Sequence, residues 1–207
     1  MNIRQSRFLF SAGCTVILAG YLMVWLPHES AGLSFIGVEI GEWVKFLPQV
    51  QAGQITPGRD LFYLPPITLG LIIALFTSGW PNRQGTTWLM RGLAVLVSLL
   101  AFPSIDAIRF EPASEWLLRL LMIGLVIVVA LASSVISRLD RRIIWATIVL
   151  IALFGCLLPS WTFFAVRPAV VELFRAPVRP GSGVWLNATG HLLILAVAVN
   201  ILRRKPA

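Results

Sequence analysis

Residues 116–136 read WLLRLLMIGLVIVVALASSVI. This run has the length of a bilayer span, and its only charge, Arg119, lies one turn in from its start. A helix needs about 20 mostly apolar residues to cross the hydrocarbon core. Five further runs resemble it, at about 8–26, 61–80, 88–105, 143–164 and 184–201, and the rest of the chain reads as connectors. Six such spans use more than half of the 207 residues and leave no room for a soluble domain. Composition agrees: 57% of residues are hydrophobic and 13% charged, against about 25% charged in soluble proteins. The mean hydropathy is +0.84. The expected fold class is an all-α integral membrane protein, a bundle of six transmembrane helices forming one polytopic domain over residues 1–207. One or two amphipathic helices are expected to lie on its outer face.

The net charge of +8 does not imply nucleic acid as a partner. The basic residues gather at helix ends, and no basic, aromatic-interleaved soluble surface exists to hold a strand. Cys14 and Cys156 both fall inside spans, and no CxxC or Cys/His spacing suggests a metal. SAGC at residues 11–14 has the spelling of a lipoprotein cleavage box. Only Phe8, Leu9 and Phe10 form an apolar run before it, so the first segment reads as an uncleaved span.

Alternation of the spans sets two sides. One collects Arg4, Arg7, Arg83, Arg91, Arg138, Arg141, Arg142, Arg203, Arg204 and Lys205, with Asp140 as its sole acid. The positive-inside rule makes that side cytoplasmic and puts both termini there, in what reads as the inner membrane of a bacterium. Tryptophans mark both edges: Trp25, Trp43, Trp116, Trp161 and Trp185 outside, Trp80, Trp88 and Trp145 inside.

The longest connector holds SFIGVEIGEWVKFLPQV, residues 34–50. Ile36, Ile40, Trp43, Val44 and Leu47 recur at helical spacing, while Glu39, Glu42 and Lys45 occupy another face. That pattern predicts an interfacial helix over about 34–48, offering its apolar face to lipid or a partner. Gly37 and Gly41 give it a GxxxG spacing. A second surface helix is expected in the connector that follows residue 164, at AVVELFRA.

Ionisable residues at mid-membrane would point to ion-driven transport, and the spans hold none there. Arg119 is expected to snorkel to the outer end and to pair with Glu115, four residues earlier. Asn187 and His191 share a face of the last span, where interhelical hydrogen bonding is the ordinary reading. With His28, His191 makes the chain's single conceivable haem-ligand pair. Glu39, Glu42, Asp106 and Glu115 are the polar candidates on the outer face. Arg109, Arg119 and Arg175 are candidates for contacts with lipid phosphate or a partner. No HExxH or GxSxG fixes a nucleophile or a metal. The expected function is therefore a non-enzymatic membrane subunit or scaffold, packing with lipids and other integral membrane proteins through its outer face. The alternatives are an enzyme acting on an outer-leaflet lipid or lipid-linked substrate, and a small-solute carrier.

Overall fold

Helices lie in each of the six apolar segments. The computed structural model describes residues 3–28, 34–56 and 58–204. The chain begins with α1 (Ile3–Leu22), then a short antiparallel ribbon of β1 (Val24–Leu26) and β2 (Phe35–Ile36). α2 (Gly37–Trp43) and α3 (Pro48–Gln51) follow, joined by a tight turn over Val44–Phe46. α4 (Leu64–Phe76) continues a single tight helical turn, Arg59–Tyr63, and α5 (Gly85–Ser98) runs on to Ala101 in the same tighter winding. Then come α6 (Ile105–Phe110), α7 (Leu117–Leu131), α8 (Ser133–Ile136), α9 (Arg141–Phe174) and α10 (Ser182–Leu202). Three helical stretches are long and apolar enough to cross a membrane: Arg59–Phe76, Arg141–Phe174 and Ser182–Leu202. Gly85–Ala101 and Leu117–Leu131 are apolar but shorter.

α1 and α10 pack closest where small residues face each other. A methyl on Gly190 would meet Ile17 and the carbonyl of Gly13, and one on Gly20 would meet the Asn187 backbone. As α1 advances from Gly13 to Gly20, its contacts on α10 retreat from Gly190 to Asn187, so the two helices are antiparallel. Small residues let backbones approach within van der Waals contact, the main attraction available between apolar helices.

Two apolar cores result. The first lies between the long helices and includes Ile17, Ile72, Val126, Ile148 and Ile194. The second forms a cap over one end of the bundle, from Trp25, Ile40, Val44, Leu47, Phe62, Phe163 and Val170.

The cap departs from the sequence expectations in three ways. First, the helix of the expected first span ends at Leu22, and Val24–Leu26 instead pairs with Phe35–Ile36 in a β-ribbon, pinned to the bundle where the Gly181 amide donates to the Trp25 carbonyl at 2.8 Å. Second, the expected interfacial helix is broken into α2, a turn and α3, because Pro48 cannot continue a helix whose preceding residue, Leu47, is extended. Third, AVVELFRA is not a separate surface helix. It completes α9, which continues through Pro159 and Pro168 for 34 residues. At 1.5 Å per residue α9 is about 51 Å long, well beyond a hydrocarbon core of about 30 Å. Its last turns, at Val166, Ala169 and Val170, are buried in the cap.

Candidate functional site

The polar residues of the cap converge on Glu42. Its carboxylate accepts from the Tyr63 hydroxyl at 2.8 Å and from the Arg119 guanidinium at 2.8 Å. It also pairs with Arg59 and with Lys45. Lys45 bridges onward to Glu111, and Arg59 to Glu115 at 2.6 Å. Local structure explains how these groups meet. α2 carries Glu42 and the turn after it Lys45, three residues on, Arg59 and Tyr63 sit on the tight turn before α4, and Arg119 opens α7. The GxxxG spacing serves this assembly, since a side chain on Gly41 would meet the Tyr63 ring.

Arg119 is only 1% exposed. Its guanidinium lies 4.4 Å from the Tyr63 ring centroid, where the face of the ring favours a cation. Its Nε is 3.9 Å from an Asp60 oxygen, too far for a direct hydrogen bond. Burial pushes the Glu42 carboxyl up. The Tyr63 hydrogen bond, the Arg59 charge and the bond and charge of Arg119 outweigh that and hold it at about 2.

Several expectations change here. Arg119 does not snorkel into solvent; it is buried against Glu42. Glu115 is not its ion partner. Glu115 precedes α7 in a tight turn, so helical i, i+4 geometry is absent, and it offers Arg119 its backbone carbonyl at 3.2 Å instead. Ile40, Val44 and Leu47 are 0–1% exposed inside the cap core, so the face proposed for docking is covered by the chain itself. Trp43 stacks on Phe35 with centroids 4.6 Å apart, and Ile36 is half-buried in β2. Trp25 and Trp145 are likewise buried, whereas Trp88, Trp161 and Trp185 remain exposed as an interfacial belt requires. Glu39 is exposed and accepts from the Ile36 amide at 3.2 Å, capping α2. Asp106, Arg109 and Arg175 are exposed outside the Glu42 network, Arg175 at the left-handed residue that ends α9.

A second polar group lies inside the bundle. Pro159 has no amide proton, which leaves the Gly155 carbonyl without its helical donor. The Asn187 side-chain amide supplies one from α10 at 3.2 Å. One turn on, His191 Nδ1 donates to the Asn187 carbonyl at 2.9 Å, and Nε2 lies 2.9 Å from the Thr68 hydroxyl of α4. Since a carbonyl can only accept, Nδ1 carries a proton, while the Thr68 hydroxyl also lies within hydrogen-bond distance of the Leu64 and Pro65 carbonyls, at 2.9 and 3.0 Å. Gly155 makes room for this, because a methyl there would collide with His191 and Thr68. The haem pairing therefore fails on geometry. Both His191 nitrogens are engaged and the ring is fully buried, while His28 rests on Phe174 in the cap. Among the described residues no group of three or more His, Cys, Asp or Glu is placed to hold a metal ion.

Lys45, Arg59, Asp60 and Tyr63 of the cap, and Thr68 and Gly155 of the bundle, did not stand out as site residues in the sequence. The available signals were a Glu42/Lys45 pair at helical spacing and charges at the edge of an apolar run. No protein-family model, curated protein or solved structure matches the chain.

Proposed function

We propose that the chain is a six-span integral membrane protein with both termini in the cytoplasm of a bacterium, acting as a non-enzymatic subunit or scaffold. In this reading α1, α5 and α7 add three spans to the three helical stretches that meet the length and hydropathy requirement. The cap lies at the outer face. One observation carries the functional part: Glu42, Glu111 and Glu115 are each paired with a cation of the cap. Glu42, held at about 2 among Arg59, Arg119 and Tyr63, stays anionic through any physiological pH and has no proton to give. Glu39 is committed to a helix cap. Neither is left to act as an acid or base on a lipid-linked substrate, which weakens the enzyme reading.

What the fold leaves open is apolar surface. α7 turns Ile123, Val126 and Ala130 inward and presents Leu118, Leu121, Leu125 and Val128 outward. α5 presents Leu89, Leu93 and Leu96. Contiguous exposed apolar surface of this kind belongs against lipid or another membrane protein. With Ile40, Val44 and Leu47 used internally, the helical perimeter replaces the cap as the docking surface.

The test is purification in gentle detergent from native membranes, with mass spectrometry of whatever co-elutes. Stoichiometric co-elution of another integral membrane protein, lost on changing Leu121 and Leu125 to Ala, is the expected result. Elution of the chain alone, with lipid or solute turnover that Glu39→Ala or Asp106→Ala abolishes, would overturn it in favour of an enzyme or carrier.

A further inference from the structure

At the end of the bundle opposite the cap, α1, α4, α9, α10 and the turn before α9 line a partly open cavity of about 800 Å³. Its two halves differ in chemistry. The inner part is aromatic: Phe10 stacks on Phe76 with centroids 4.0 Å apart, and Trp145 meets both rings edge-on. The rim carries Arg7 from α1, Arg141 and Arg142 from the start of α9, and Arg204 just past α10. Ser6, Ser78 and Ser137 add hydroxyl groups to the lining.

Three of the rim charges are not neutralised as those of Lys45, Arg59 and Arg119 are in the cap. Asp140 is the acid of this lining, and its carboxylate caps α9 by accepting the Arg142 amide at 2.8 Å. Among the described residues, Arg7, Arg141 and Arg142 have no carboxylate partner. All three are exposed. The cap places Lys45, Arg59 and Arg119 against acids; this cavity places three open guanidiniums around an apolar floor.

We propose that this cavity binds the headgroup of an anionic phospholipid, with the phosphate held by Arg7, Arg141 and Arg142 and the start of an acyl chain lying over the aromatic floor. Guanidinium groups match phosphate oxygens in charge and geometry. A free phosphate would satisfy the rim and gain nothing from the floor. A zwitterionic lipid would gain from the floor but bring a cation to the arginines. The lipid with net negative charge satisfies both. α9 ties the cavity to the cap, since its first turn carries two of the arginines and its last turns are buried in the cap core. The proposal rests on the reading of the chain as a membrane protein.

The test uses the full chain in nanodiscs of equal phosphatidylglycerol and phosphatidylcholine, extracted into detergent, with retained lipid measured by native mass spectrometry. The expected result is about tenfold preferential retention of one phosphatidylglycerol, lost in Arg7→Gln/Arg142→Gln. Ser137→Trp, which fills the cavity without changing charge, should also displace it. Gel filtration reports whether each variant stays folded, and either folded variant suffices. Equal retention of the two lipids would overturn the proposal, as would phosphatidylglycerol persisting in a folded variant. So would its complete displacement by millimolar inorganic phosphate, which would leave a free-phosphate site. A chain that enters nanodiscs as a single species yet retains no lipid loses this site and keeps the membrane reading.

Discussion

At Glu42 two opposed effects meet. Partial burial disfavours its charge, while Tyr63, Arg59 and Arg119 favour it, and the balance sits at about 2 against an ordinary 4.5. A carboxyl whose pKa is depressed on folding stabilises the fold at pH above its unfolded value and loses that contribution as pH falls through the folded one. The cap should thus lose the Glu42 contribution between about pH 4.5 and about pH 2. Thermal unfolding in detergent checks this. Wild type should fall steeply across that window, and Glu42→Gln should start lower and fall less. Parallel curves would remove Glu42 as the cap's hub. Arg119 carries the complementary risk, since it is buried and its loss strips Glu42 of a partner. Arg119→Ala should cost about 3 kcal/mol, the low end for a broken buried pair because Glu42 retains Arg59. Inside the bundle, Gly155→Ala forces a methyl onto His191 and Thr68. Overpacking of this kind costs roughly 1–3 kcal/mol, readable as a lowered unfolding temperature. An unshifted temperature would mean that His191 and Thr68 have room the geometry does not show.

α2 and α9 separate what the sequence discloses from what it conceals. The spacing of Ile40, Val44 and Leu47 correctly announces a covered face, because periodicity reports that one side of a helix avoids water. It carries no information on what covers that face, and lipid, a partner and the chain itself leave the same pattern. Here the cover is Trp25, Phe62, Phe163 and Val170, drawn from positions scattered along the chain. The same limit hid the site. Glu42 and Arg119 lie 77 positions apart, and Thr68 and His191 lie 123 apart. A residue's type shows that it needs a partner, and its neighbours in sequence do not show which one. Helix ends failed differently: Pro168 reads as a breaker, but the packed cap carries α9 past it. Changing Ile40→Asp and Val44→Asp tests that burial. Two carboxylates forced into an apolar core cost several kcal/mol, so the cap should open. Limited trypsin digestion should then cleave at Lys45 and Arg59, sites that wild type protects. The exposed control Glu39→Ala should leave that protection largely in place. A double variant as resistant as wild type would return α2 to the surface.

For the whole molecule, the proposed six spans put both termini on one side, and that depends on each apolar helix crossing. α5 and α7 are both shorter than the other spans. Gly85–Ala101, at about 1.5 Å per residue, is about 26 Å long, short of a hydrocarbon core of about 30 Å. Arg91 is buried near its start, bound to Asn82 at 2.8 Å. The segment crosses only if the bilayer thins or its flanks reach into the interface, each at modest cost. If it fails to cross, every later helix inverts, and α10 ends on the opposite side from α1. Such an inversion conflicts with the packing. α1 and α10 are antiparallel through Gly13, Gly20 and Gly190, which keeps Arg7 and Arg204 at one end. Residues 83 and 109 flank α5 and are both exposed, so they decide the matter. In a chain with Cys14→Ser and Cys156→Ser, single cysteines at Gln54→Cys and Arg109→Cys should react with an impermeant maleimide in intact spheroplasts. Those at Arg83→Cys and Arg138→Cys should react only after lysis. Labelling of 83 and 109 from one side would remove the third span, and labelling of 83 and 138 alone in intact cells would invert the protein. The expected pattern keeps the arginine-rimmed cavity in the inner leaflet and the Glu42 cap outside, with α9 and α10 each contributing to both.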